Sequence, residues 1–126
     1  MEILIDTNTL IYAAKDKIDL FTLIKDSFPH AEIIIPKEVL EEVKNIKENA
    51  KKLREKEAAS LILQIINKQY IKKISMGEGN VDDLLIKEAS ERKAAVITSD
   101  KNLKQKLKKA NIKTIYLKQK KILEDD

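Results

Sequence analysis

At 126 residues the chain has room for one domain with a modest core and not for two, so residues 1–126 are read as a single unit. A hydrophobic fraction of 43% argues against disorder, and the absence of cysteine excludes disulfides, thiolate metal sites and cysteine nucleophiles. The net charge of +4 is moderate but concentrated: Lys101, Lys104, Lys106, Lys108 and Lys109 begin a basic C-terminal quarter, which suits either a polyanionic partner or the solvated face of a helix.

The chain opens on Glu2-Ile3-Leu4-Ile5, a continuous apolar run expected of a strand buried on both faces. Asp6-Thr7-Asn8 ends it, and Leu10, Ile11, Ala13 and Ala14 carry a helical pattern onward. A second helix is expected over Ile18 to Phe28, closed by Pro29. Ile33-Ile34-Ile35 reads as another buried strand, and Pro36 as the first-turn proline of a helix over Glu38 to Lys47. A long helix follows from about Lys51 to Asn67, with Leu61 to Ile66 apolar enough to serve as core or as a homodimer face.

Tyr70 to Met76 reads as a strand, broken by Gly77-Glu78-Gly79. Asn80 is a good N-cap for a helix over Val81 to Arg92. Ala94 to Thr98 is a fourth strand, Lys101 to Ala110 a basic helix, and Ile112 to Leu117 the last strand, with Glu124-Asp125-Asp126 as a frayed tail. Strands alternating with helices predict an α/β fold, a parallel sheet covered on both faces. With no basic leader and no apolar stretch of membrane-spanning length, a cytoplasmic protein without a membrane partner is expected.

Open α/β sheets bind ligands beyond the carboxyl ends of their strands, and two acids fall there directly. Asp6 follows the first strand, and Asp100 follows the fourth after Ser99. Each also begins a helix, so capping accounts for either one taken alone. Helical geometry sorts the other acids. On a wheel advancing about 100° per residue, Val39, Leu40, Val43 and Ile46 define a buried face, with Glu42 at its margin and Glu41 opposite. In the later helix Asp82 falls within the arc of Val81, Leu84, Leu85 and Ala89, while Asp83 falls outside it, where it can return a hydrogen bond at the helix start.

A carboxylate facing a core is costly unless it is paired or bound to a metal. No Lys or Arg obviously neutralises Asp6, Glu42, Asp82 and Asp100, and hard oxygen ligands suit Mg²⁺ or Mn²⁺. The single histidine, His30, sits in a loop, which disfavours a histidine-based nucleophilic dyad, and no GxxxxGK[ST] phosphate loop occurs. What remains is an all-carboxylate metal site beside a basic surface, of which Lys101, Lys104 and Lys108 are candidates for contact with a polyanionic partner.

At this point the residues become familiar. Ile3-Leu4-Ile5-Asp6-Thr7-Asn8-Thr9-Leu10 resembles the opening strand of a PIN-domain nuclease. Three further stretches match in order: Ile35-Pro36-Lys37-Glu38-Val39-Leu40-Glu41-Glu42-Val43, then Asn80-Val81-Asp82-Asp83-Leu84-Leu85-Ile86, then Val96-Ile97-Thr98-Ser99-Asp100. The resemblance spans essentially the whole chain. It implies a three-layer α/β/α sandwich with a central parallel sheet, a pocket holding Mg²⁺ or Mn²⁺, and an endoribonuclease that cuts RNA by metal-activated water.

Asp6, Glu42, Asp82 and Asp100 carry over as catalytic, metal-binding acids, with Asn8, Thr98 and Ser99 as supporting or phosphate-contacting residues; Ser99 stands where Asn is common. The hydrophobic–Asp-Asp–hydrophobic stretch and the Thr-Ile-Tyr-Leu-Lys ending are most similar to archaeal PIN proteins related to the small-subunit rRNA-processing lineage, then to the antitoxin-paired toxin branch. The implied partners are single-stranded or structured RNA, with a pre-ribosomal particle or an antitoxin. The alternative of a different class is a PIN-like assembly factor that binds RNA without cutting it.

Overall fold

The runs Ile3-Leu4-Ile5, Ile33-Ile34-Ile35 and Ala95-Val96-Ile97 are β-branched or aliphatic throughout, and they form the buried centre of a twisted sheet. The computed structural model describes residues 1–125. Its elements in chain order are β1 (Glu2–Ile5), α1 (Thr7–Lys15), α2 (Leu20–Ser27), β2 (Glu32–Pro36), α3 (Lys37–Asn49), α4 (Leu53–Lys68), β3 (Lys72–Ile74), α5 (Val81–Arg92), β4 (Ala95–Ile97), α6 (Lys101–Lys109), β5 (Thr114–Lys118) and β6 (Lys121–Asp125).

The sheet has the order β3-β2-β1-β4-β5-β6, parallel across its first five strands. The pleat divides the core in two. Ile3, Ile5, Ile33, Ile35 and Ile97 point into the layer of α1 to α4, where Leu10, Ile24, Val43, Ala59 and Ile62 meet them. Leu4, Ile34 and Val96 point the other way, onto Leu85 and Ala89 of α5 and Leu103 and Leu107 of α6. Burying each such side chain is worth roughly 1.5–3 kcal/mol, which is why a run without polar alternation demands cover on both faces. The result is an α/β/α sandwich.

Four expectations need correction. The sheet is not wholly parallel: β6 pairs antiparallel with β5 through the tight Lys118-to-Lys121 connection, with Gln119 at φ 56°. Glu124 therefore lies in a strand rather than a frayed tail, and Asp126 lies outside the described residues. The third strand keeps only Lys72–Ile74, because at the sheet edge Tyr70 turns wholly into solvent. Pro36 ends β2 and is the N-cap of α3 instead of its first residue.

The chain runs outward from β1 to β3, then crosses back to lay β4 on the other side of β1. The crevice at the carboxyl ends of β1 and β4 is thus the topological switch point of the sheet, the place where open α/β sheets take ligands.

Candidate active site

The residue after β1 is Asp6, and its carboxylate does two jobs at once. Oδ1 accepts the Thr9 N–H at 2.9 Å, capping α1, and Oδ2 accepts the Thr98 hydroxyl at 2.5 Å. Asp6 is 5% exposed and Thr98 is completely buried. The same Thr98 Oγ1 accepts the Asp100 N–H at 3.1 Å, so one hydroxyl ties the ends of β1 and β4 together. Asp100 then caps α6, its Oδ1 accepting the Leu103 N–H at 3.0 Å. Both strand-end acids do cap helices, and both also line one cleft of about 270 Å³.

Glu42 of α3 and Asp82 of α5 close that cleft from the two helical layers. Glu42 accepts the Thr7 hydroxyl at 2.5 Å, while its neighbour Glu41 lies on the opposite side of α3. Asp82 is half-buried and Asp83 is exposed, with Asn80 Oδ1 accepting the Asp83 N–H at 3.2 Å. Asn8 lines the cleft as well. Ser99 does not: its hydroxyl donates to the Leu117 carbonyl at 3.4 Å and so braces β5. Nor do Lys101, Lys104 and Lys108 line it; Lys104 sits 4.0 Å over the Tyr116 ring. His30 is exposed in its loop.

The acids feel one another. Burial pushes the Asp6 carboxyl above the ordinary aspartate range, outweighing the bonds from Thr9 and Thr98, and Asp82 adds to the rise. Asp82 is pushed up by burial and then by Asp100, opposed by Lys106. Lys106 belongs to the basic run read from the sequence, but its nearness to Asp82 was missed. It shares α6 with the lysines singled out above, but only the docking of α6 beside α5 brings its charge to Asp82, and no local pattern encodes that. Thr7 and Asn45 were missed too. Asn45 carried a signal, since it lies three residues beyond Glu42 on the same helical face.

Glu38, one turn before Glu42, reaches elsewhere. Its carboxylate accepts the Met76 N–H at 2.9 Å, the Gly77 N–H at 3.3 Å and the Ser75 hydroxyl at 3.2 Å. Partial burial works against its charge, but these donors prevail and hold it below the usual glutamate range. The loop they fix turns through Gly77 (φ 103°) and Gly79 (φ 138°), conformations that side chains resist, and delivers Asn80 to cap α5.

Residues 3–120 match the family described as PIN like domain. The chain belongs to that family. Ribonuclease VapC4 of Methanocaldococcus jannaschii is 34% identical over 122 residues, spanning 94% of this chain and 92% of that protein. Among solved structures, the PIN domain endonuclease Utp24 superposes with a TM-score of 0.81 at 23% identity, covering 98% of this chain and 90% of that one. VapBC2 from Rickettsia felis, bound to a DNA fragment from its promoter, gives 0.69 at 18% identity over 94% of this chain and 100% of that one. These likenesses to solved structures concern the fold.

The donor set of this PIN-like domain is carboxylate and amide oxygen, with no nitrogen or sulfur ligand in the cleft, which fits a hard divalent cation by chemistry. Burial first and neighbouring acids second raise Asp6 and Asp82, and Lys106 offsets only part of the rise on Asp82. Among the described residues no three His, Cys, Asp or Glu side chains converge as a ready-made ligand set. A divalent cation bound in this cleft would need waters to complete its shell. No helix among the described residues is long and apolar enough to cross a membrane.

Proposed function

We propose that this PIN-like domain is a divalent-metal-dependent endoribonuclease, acting in the cytoplasm on RNA phosphodiester bonds. The observation that carries the reading is that Asp6, Glu42, Asp82 and Asp100, from four separate parts of the chain, line one cleft at the switch point. Kinship with Ribonuclease VapC4 supports it. Mg²⁺ or Mn²⁺ bound there would neutralise the acids and stabilise charge on the phosphoryl oxygens under attack by water.

The chain's own residues hold the geometry. Asp6 and Asp82 would be the principal ligands of the cation, Asp6 being fixed by Thr9 and Thr98. Glu42, steadied by Thr7, and Asp100, steadied by its cap on α6, would complete the site, partly through water. Asn8 and Asn45 stand at the cleft as donors to phosphate oxygens. Lys101, Lys104 and Lys108, with Lys106, track the backbone on the α6 side.

The test is cleavage of a labelled single-stranded RNA with Mn²⁺, Mg²⁺ or EDTA, by wild type, Asp6→Asn and Asp82→Asn. Cutting that needs metal and vanishes in both variants is expected. Folded wild type that leaves RNA intact with every metal overturns the reading, and retained RNA binding would then favour a non-catalytic assembly factor.

Within the nuclease reading, RNA processing and an antitoxin-paired toxin share this chemistry. The 34% identity with Ribonuclease VapC4 is the observation that favours the second. Loss of cleavage on co-expression with an adjacent small reading frame would establish that pairing; unrestrained activity beside every neighbour would leave RNA processing.

A further inference from the structure

On the far side of α3 from the acidic cleft lies a broader groove of about 610 Å³, walled by α3, α4 and β3. Lys37, Lys44, Lys47 and Lys73 line it, and all four are exposed. Glu41 and Glu48 are the acids there, so the groove keeps an excess of positive charge. Among the described residues, none of the four lysines is held in an ion pair. Gln64 and Asn67 of α4 add neutral amide donors.

The placement matters as much as the charge. α3 turns Glu42, Asn45 and Ile46 to the cleft and Glu41, Lys44, Lys47 and Glu48 to the groove, so one helix separates them, a body about 10 Å across. The cleft itself is acidic and repels phosphates until a cation is bound, so a strand must be gripped outside it. Cations lie on the α6 side, and this groove supplies them on the other. A single strand is flexible enough to bend over a helix of that width, whereas a stiff duplex is not.

We propose that the α3–α4 groove is a second backbone-binding site for single-stranded RNA, engaged after the strand leaves the cleft and crosses α3. The proposal rests on the nuclease reading above and adds the path of the strand: from the α6 side, through the cleft, into the lysine groove. Lysines there contact phosphates as point charges, and the amides take sugar or phosphate oxygens, so the grip is indifferent to sequence.

The test uses the full chain carrying Lys44→Gln, Lys47→Gln and Lys73→Gln together, exposed changes that keep helix propensity in α3. Binding of a fluorescent 20-nucleotide single-stranded RNA is followed by anisotropy in EDTA at several salt concentrations. The expected result is about tenfold weaker binding, with the slope of log affinity against log salt shallower by roughly 2, as for three lost single-strand phosphate contacts.

Unchanged affinity and slope for the 20-mer overturn the proposal, as does an equal affinity for duplex RNA. The measurement needs no cleavage. A failure of the nuclease reading appears separately, as RNA left intact with every metal by wild type.

Discussion

Replacing Thr98 with Val removes one hydroxyl and almost no volume from a fully buried position. That hydroxyl makes two bonds: it donates at 2.5 Å to the Asp6 carboxylate and accepts at 3.1 Å from the Asp100 N–H. A bond to a charged group is worth about 1.5–3 kcal/mol and one to a backbone amide about 0.5–1.5, so Thr98→Val should cost about 2–4 kcal/mol. In a domain of this length that lowers Tm on the order of 10 °C. The loss also falls on function. The Thr98 bond opposes the rise in the Asp6 pKa, so its removal drives that pKa further up, and cation binding, which needs the carboxylate, becomes weaker and more dependent on high pH. Thermal unfolding in EDTA, followed by Mn²⁺ titration at pH 6 and pH 8, measures both effects, and Thr98→Ser should restore each in large part. A Val variant that melts within about 1 °C of wild type would refute the energetic reasoning; one that binds Mn²⁺ with unchanged pH dependence would refute the assigned link between Thr98 and Asp6.

The raised pKa values of Asp6 and Asp82 each contribute stability to the metal-free protein that is fully present below the unfolded value and lost as pH rises through the folded one. Asp82→Asn should therefore raise Tm in EDTA at neutral pH; a fall there would count against like-charge repulsion. Mn²⁺ at a hundred times its dissociation constant should add about 2.7 kcal/mol to wild type, a gain the Asn variant largely forfeits, read as a shift in Tm. Glu38 has the opposite sign: its lowered pKa contributes stability that is present above the unfolded value and lost as pH falls through the folded one. Glu38→Gln, discounted for solvent screening, should cost about 1 kcal/mol and speed amide exchange at Met76 and Gly77 while leaving exchange in β1 unchanged.

Much of this arrangement is written locally. Runs such as Ile3-Leu4-Ile5 announce strands buried on two faces because nothing polar interrupts them, and a helical wheel separates Glu42 from Glu41 and Asp82 from Asp83 because burial follows the same periodicity. β6 escaped notice because Gln119-Lys120 is no hairpin signature, and Lys121 and Glu124 look like tail residues until β5 offers its edge. Pro36 could be placed only to within a residue, since its fixed φ suits both a strand end and a helix cap. The approach of Lys106 to Asp82 was hidden for a deeper reason: it is a fact of how α5 and α6 pack, and sequence periodicity does not record distances between elements.

The covalent route from Glu42 to Asp82 passes through all of α4, β3 and the glycine turn. Were that the only link, every small displacement along it would accumulate, and the two walls of the cleft would drift independently. Glu38 supplies a shortcut: one turn back along the rigid α3, then three hydrogen bonds into the loop just ahead of α5. Both walls are thereby gauged from a single rod. A tilt of α3 carries the α5 side along with it, and the spacing between Glu42 and Asp82 is preserved as a dimension of the molecule rather than as the sum of its joints.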